Sequence, residues 1–269
     1  MIILAKIKND KYYTPPDLAQ YIVNKTKEII GEENITEYIE PSAGAGVFLD
    51  YLEKENVPYL AYDIEPEDNR INKQDYLKLD LEYKKGRCVI GNPPFGWANS
   101  GIKKFYKKSI QLAEHISFIL PVSQCNNNHE LFDFELIYSE NLGEVKFLNP
   151  NSSINKKCCL NIYKKPKIKR RKPSYKFNDI KIIGWRKAKK INCDFYICCY
   201  GSPLGKIVPR DTHHVNINGI IIYNEEIRGK IEKIFTETVW EDVYPMMSSP
   251  NLLQWQIYKH LKEKIPELE

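Results

Sequence analysis

Apolar residues in the first 165 positions gather into short runs separated by stretches of helical spacing. That alternation predicts a mostly parallel sheet covered by helices. The β-rich runs are Glu37–Glu40, Tyr59–Ile64, Arg87–Gly91, His115–Leu120, Glu144–Leu148 and Cys159–Lys164, with a weak seventh near Arg70–Lys73. In Pro16–Ile30, Leu18, Ile22, Ile29 and Ile30 recur at helical intervals, and Gly31 can supply a left-handed cap. Val47–Glu55, Gly101–Ala113 and Leu131–Glu140 are the other predicted helices. About ten residues separate the last two strands, too few for a helical crossover, so they should pair as an antiparallel hairpin at one sheet edge.

Lys165-Pro166 to Lys172-Pro173 carries prolines and charge without apolar periodicity and reads as a boundary. It divides the chain into domains at 1–165 and 174–269. Past it come strand-like runs at Ile180–Trp185, Phe195–Tyr200 and Ile217–Tyr223, then helical ones at Glu225–Phe235 and Asn251–Lys264. A smaller α+β domain is expected there. The sequence has neither an internal repeat nor a low-complexity tract.

Charge changes the picture, because the net +5 hides a polarity. Residues 1–150 carry 17 Lys/Arg against 23 Asp/Glu, and residues 151–269 carry 23 against 12. Between Lys156 and Lys190 lie 15 basic residues and one acid, Asp179, a density that favours a polyanion through counterion release. For Lys164 to Lys172 a solvated linker explains the charge equally well. No apolar stretch approaches the roughly 20 residues of a membrane span, and the Met-Ile-Ile-Leu-Ala start is too short for a signal peptide. The seven cysteines, including the adjacent pairs Cys158-Cys159 and Cys198-Cys199, lack paired C-x-x-C spacing. Reduced, packed thiols, no metal site and a cytoplasmic location are expected.

The densest chemistry follows the run ending at Gly91. Asn92-Pro93-Pro94-Phe95 opens a loop in which the prolines lack N–H groups and fix φ, so the loop is stiff. At the C-terminal end of a strand it would present a carboxamide, a carbonyl and an aromatic face to the crevice of an open α/β sheet. Two acceptors and a ring suit a planar heterocycle bearing an exocyclic amine, and adenine is the leading choice. An ordinary turn is the simpler alternative.

Four further segments keep it company. Glu40-Pro41-Ser42-Ala43-Gly44-Ala45-Gly46 ends the first strand, where glycines allow a sharp turn and close approach to a ligand. It is not the G-x-G-x-x-G pattern, and an acid before the turn suits an ammonium group better than a pyrophosphate. Asp63 ends the second strand, where a carboxylate can accept both hydroxyls of a ribose, or else cap the following turn. Asp75-Tyr76 follows the third strand and can meet an amine and a ring face, or lie at the surface. Tyr13-Thr14-Pro15-Pro16 leads into the first helix, which capping alone would explain.

Together these five segments resemble the S-adenosylmethionine-dependent DNA adenine-N6 methyltransferases, in the order that puts cofactor motifs first and the target recognition domain last. The resemblance runs from Tyr13 to about Lys164. It implies a Rossmann-like seven-stranded methyltransferase sheet with S-adenosylmethionine bound by Tyr13, Thr14, Glu40, Ser42, Gly44, Gly46, Asp63, Asp75 and Tyr76. Thr14 and Glu40 would hold the methionine moiety, Asp63 the ribose, and Asp75 with Tyr76 the cofactor adenine. Asn92, Pro93, Pro94 and Phe95 match the catalytic tetrapeptide, with Phe in place of the commoner Tyr.

The same resemblance implies duplex DNA as partner, base flipping of the target adenine, and a place in restriction-modification beside a cognate endonuclease or as a solitary or viral enzyme. Lys206, Arg210, His213 and His214 would form a groove-reading cluster, or an ordinary surface loop. One departure stands out. Many relatives carry a second base-stacking aromatic between the last two strands, whereas Asn149 to Lys157 contains none. Ile154 or Trp97 would have to substitute, or the base is held less tightly. The alternatives are adenine in RNA, then a glutamine side-chain amide in protein, and last a non-enzymatic nucleic-acid-binding module on the same fold.

Overall fold

The computed structural model describes residues 12–96, 99–127, 129–149, 152–212, 216–244 and 251–269. The chain divides into two compact units, Met1–Lys172 and Pro173–Glu269.

In the first unit, helix α1 (Pro16–Ile30) begins on a proline, whose missing N–H is no loss in a first turn, and stops at Gly31 with φ 85°. Ala19, Ile22, Val23, Thr26 and Ile30 form its buried stripe. Seven strands follow: β1 (Glu37–Glu40), β2 (Tyr59–Asp63), β3 (Asn72–Lys73), β4 (Lys84–Gly91), β5 (Ala113–Pro121), β6 (Glu135–Asn149) and β7 (Ser152–Lys164). They form one sheet in the order β3-β2-β1-β4-β5-β7-β6. β1 through β5 pair in parallel, while β7 runs antiparallel to both β5 and β6. Helices α2 (Leu49–Leu52) and α3 (Ser100–Leu112) sit in the crossovers. β1 has β2 on one side and β4 on the other, so the chain leaves it in opposite directions and a crevice opens at the C-terminal ends of these strands.

Three expectations need correction. Leu131–Glu140 is not a helix, since β6 starts at Glu135 and pairs with β7 along its length. Register shifts between Leu136 and Tyr138 and between Asn141 and Gly143 break the period of two, which disguised the strand. The segment 149–157 is not an open loop either, because the ladder continues to Asn149 opposite Ser152 and sets Ile154 against Phe147. The predicted helix Val47–Glu55 shrinks to one α-turn, Leu49–Leu52.

The second unit holds a four-stranded antiparallel sheet in the order β10-β9-β11-β8. Its strands are β8 (Ile180–Ile183), β9 (Phe195–Cys198), β10 (Ile207–Val208) and β11 (Ile217–Ile222). Helices α4 (Trp185–Ala188), α5 (Arg228–Glu237), α6 (Trp240–Val243) and α7 (Gln254–Lys264) complete it. Trp240, Phe235, Ile257 and Leu261 are fully buried in its core. Gly205 is required there, since a Cβ would fall 2.0 Å from the Trp240 ring.

Candidate active site

The turn after β1 is built on glycine, with φ 53° at Gly44 and 81° at Gly46. Asp63, at the end of β2, closes it: Oδ2 accepts from the Gly44 N–H at 2.8 Å and Oδ1 from the Glu65 N–H at 2.8 Å. Each carboxylate oxygen keeps a lone pair for a further donor. Asp75 Oδ1 accepts from the Leu77 N–H at 3.0 Å and so starts the short turn at Tyr76–Lys78.

These loops enclose a cavity of about 320 Å³. Tyr13, Ser42, Gly44, Asp63, Asp75 and Asn92 stand on its wall, as does Pro94. Pattern reading missed the apolar side of that wall, Ile64, Leu77 and Phe105. Ile64 was taken as the last residue of a strand, yet it lies just beyond β2 and is 49% exposed. Tyr76 touches the cavity but is turned inward, stacked on Phe105 at 5.5 Å with its hydroxyl 2.8 Å from that of Ser109.

Thr14, Glu40 and Gly46 are not on the wall. A Cβ on Gly46 would face Asp68 and Arg70, so its role is the turn. Glu40 is buried beside Gly91, and its Oε2 has no hydrogen-bond partner among the described residues. Burial, aided by the Asp63 carboxylate, pushes the Glu40 carboxyl well above the usual carboxylate range. A folded-state value above the unfolded one gives stability that is whole below about pH 4 and fades as pH rises through the folded value. Glu40→Gln keeps the neutral shape at every pH. Its Tm in scanning calorimetry should therefore match the parent near about pH 4 and exceed it near about pH 8; equal values at both would mean the carboxyl is not held neutral.

The Asn92 to Phe95 loop leaves β4 beside this cavity. The Asn92 main-chain carbonyl accepts from Ser42 Oγ at 3.2 Å, and Nδ2 donates to Thr14 Oγ1 at 3.3 Å. Oδ1 is buried and without a partner among the described residues. A second cavity of about 30 Å³ is lined by Asn92 together with Tyr12, Pro93, Pro94, Phe95, Phe147 and Lys156. Tyr12, Asn92 and Pro94 line both cavities. Asn92 is thus part of the wall between them.

Tyr12 and Phe147, 6.4 Å apart and inclined at 60°, were not anticipated. Phe147 lies two residues before the segment searched for an aromatic, and it faces inward because β6 continues through it. Tyr12 arrives with the arm that the Tyr13–Leu148 backbone bridge fastens to β6, at 2.8 and 3.2 Å. Ile154 packs into the core opposite Phe147, and Trp97 lies outside the described residues.

Of the proposed groove-reading cluster, Lys206 and Arg210 are described, and each is bonded within the second unit. Lys206 Nζ donates to the Thr236 and Thr238 carbonyls at 2.6 and 3.1 Å, at the C-terminal end of α5. Arg210 holds Asn192 Oδ1 and the Lys189 carbonyl, both at 2.8 Å. His213 and His214 lie outside the described residues. All seven cysteines are free, six of them buried. Among the described residues no group of three or more His, Cys, Asp or Glu side chains could hold a metal ion, and no helix is long and apolar enough to cross a membrane.

No family model matches the chain, and no curated protein does. Among solved structures, one neighbour is a Pyrococcus horikoshii protein provisionally named an RNA methyltransferase, 12% identical, covering 61% of this chain and 90% of that one with a TM-score of 0.47. Another is the 23S rRNA methyltransferase ErmE, 12% identical over 59% of this chain and 71% of that one, TM-score 0.42. The N-methyltransferase NodS of Bradyrhizobium japonicum WM9 is 11% identical over 56% and 96%, TM-score 0.38. With TM-scores under 0.5, these neighbours lend no weight to an activity or a substrate.

Proposed function

We propose that the chain is an S-adenosylmethionine-dependent methyltransferase acting on the N6 amine of adenine in DNA. One observation carries the reading: Asn92, whose Oδ1 is buried and without a hydrogen-bond partner among the described residues, lines both a ligand-sized cavity and an aromatic-lined one. The larger cavity suits the cofactor. Its volume falls within the range of about 300–1,000 Å³ typical of small-molecule sites, Asp63 has lone pairs left for two hydroxyls, and Ile64 offers exposed apolar surface for a planar ring. Asp63, Asp75, Ile64, Leu77 and Phe105 would hold the nucleoside portion.

When bound, the cofactor supplies a sulfonium methyl, which a nitrogen lone pair takes while the C–S electron pair stays on sulfur as a neutral thioether. The chain's part is positioning. Adenine's amine is a weak nucleophile because its lone pair is delocalised into the ring. With one N–H donated to Asn92 Oδ1 and the other to the Pro93 carbonyl, the nitrogen is drawn toward tetrahedral geometry and its lone pair is aimed across the wall. The surplus proton then leaves the methylated nitrogen for solvent. No tuned general base is needed for that order of events.

About 30 Å³ holds little more than a water molecule, so a base fills the smaller cavity only after Tyr12, Phe95 or Phe147 swings aside. An adenine in a duplex must also leave its stack to reach it. The exposed Lys164, Lys165, Lys167, Lys169, Arg171 and Lys172 support a polyanionic substrate.

Phe95→Leu keeps apolar bulk and removes the stacking face. It should raise the nucleic-acid KM by roughly 5- to 150-fold, the equivalent of about 1–3 kcal/mol of stacking, and leave cofactor affinity alone. The whole reading is tested by tritiated-methyl transfer to duplex DNA, single-stranded DNA, RNA and peptide in parallel, with products digested to nucleosides. Label in N6-methyladenine from DNA is the expected result. Label confined to RNA or to peptide would replace the substrate, and no label anywhere would end the reading.

A further inference from the structure

We propose that the segment 184–192 of the second unit is a rigid phosphate-binding knuckle that grips the backbone of a DNA duplex, an inference that rests on DNA being the substrate. Arg186, Lys187, Lys189 and Lys190 are all exposed there, and none of them is in an ion pair among the described residues. The next acid along the chain, Asp194, is occupied by Arg228 at 2.7 Å. Cations crowded into so short a stretch repel one another, so folding by itself gains nothing from collecting them. A polyanion does gain, because each phosphate they neutralise releases condensed counterions.

A solvated loop could carry the same charge, and what sets this segment apart is how firmly it is held. The Lys187 and Ala188 N–H groups donate to the Gly184 carbonyl at 2.9 and 3.0 Å, and the Lys190 N–H donates to the Lys187 carbonyl at 2.9 Å. Ala188 is the foot of the turn, fully buried in a cluster with Ile183, Tyr196 and Ile217. Two side chains from neighbouring parts of the unit fasten the rest. Arg210 donates to the Lys189 carbonyl and to Asn192 Oδ1, both at 2.8 Å. The Tyr196 hydroxyl donates to the Ile191 carbonyl at 2.9 Å and accepts from the Cys193 N–H at 3.2 Å. Trp185 is 38% exposed, and the Arg186 guanidinium lies 5.3 Å from its ring centre, a contact that restrains that side chain as well. The backbone is thus ordered on folding and not at the moment of binding, which favours affinity. By contrast, residues 165–172 belong to neither helix nor strand. Ammonium groups on flexible stems suit phosphates better than a fixed pattern of base edges, so the knuckle holds the duplex without reading its sequence.

The test is fluorescence anisotropy of a labelled, mixed-sequence DNA duplex of about 24 base pairs, titrated with the full chain across about 50–200 mM KCl. Arg186→Gln, Lys187→Gln, Lys189→Gln and Lys190→Gln combined should lower the slope of log K against log [KCl] by about three to four and raise Kd at least about ten-fold at about 0.1 M. A matched change of charge in the linker, Lys167→Gln, Lys169→Gln, Arg171→Gln and Lys172→Gln, should lower the slope by less than half as much. Equal losses in the two variants would reduce the knuckle to diffuse charge and overturn the inference, as would an unchanged slope in the first or a parent that binds no DNA. A loss felt more strongly by a matched RNA duplex would assign the surface to RNA and overturn it too. If circular dichroism shows the four-fold variant unfolded, its halves, Arg186→Gln with Lys187→Gln and Lys189→Gln with Lys190→Gln, should each lower the slope by about two. Anisotropy needs neither cofactor nor turnover, so it separates this surface from the reading beneath it. DNA held through the knuckle with no methyl transfer to any substrate would sink the proposed activity and leave the surface standing. Methyl transfer to DNA at the parental KM by the four-fold variant would sink the surface alone.

Discussion

Asn92→Ala is expected to lower methyl transfer by about two to three orders of magnitude, the scale on which removal of one preorganised transition-state hydrogen bond is felt. Cofactor binding should persist. The substitution deletes Oδ1, the buried atom without a partner, together with the Nδ2 contact to Thr14, yet leaves the main-chain carbonyl that Ser42 holds. The loop should keep its course, since Pro93 and Pro94 stiffen it independently of the side chain. Single-turnover transfer of tritiated methyl, compared with calorimetric titration of S-adenosylhomocysteine, checks both halves. Near-normal turnover in Asn92→Ala would remove the mechanism, because the Pro93 carbonyl alone would then have to receive the amine.

Gly101→Ala should cost about 100-fold in kcat through geometry alone, as a displacement near 1 Å in a reacting group can. Gly101 lies in the first turn of α3, with no positive φ to forbid a side chain there. On helix propensity the change should even be favourable, by up to about 1 kcal/mol. The obstacle is space. A Cβ would sit 2.1 Å from the Pro94 carbonyl oxygen and 3.2 Å from the Phe95 carbonyl carbon, all backbone that cannot swing away. Gly101 N–H also donates to the Phe95 carbonyl at 3.1 Å, so helix and loop are held together at this point. Either α3 backs off or Pro94 and Phe95 shift, and the shift passes to Asn92. Near-parental Tm with depressed kcat is the expected signature; parental kcat would mean the loop tolerates the methyl.

Much of the frame was legible because it rests on short-range rules. Pro16 to Ile30 carries its own start, stripe and stop, and the helix has those bounds. β1 and β2 are brief runs bounded by turns, and the end of β2 delivers Asp63 to the crevice. Only the end of β6, Glu144–Leu148, was legible as a strand, since bulges scramble the alternation of its first half and pairing with β7 is what reveals that half as strand. Phe147 went unseen for the same reason: its importance depends on which face of that strand it occupies.

Tyr12, Thr14 and Glu40 show the division most clearly. Residue types and their order are enough to place Asn92-Pro93-Pro94-Phe95 and Asp63 at strand ends, because turn chemistry and periodicity are properties of neighbours along the chain. Whether a side chain lines a cavity, braces one that does, or lies buried and neutral depends on groups far away in the sequence. Thr14 meets Asn92 across 78 positions, and Glu40 owes its raised pKa to what the fold packs around it. Desolvation, hydrogen-bond pairing and the facing of a strand exist only once distant segments are brought together, so the tertiary structure alone assigned those roles.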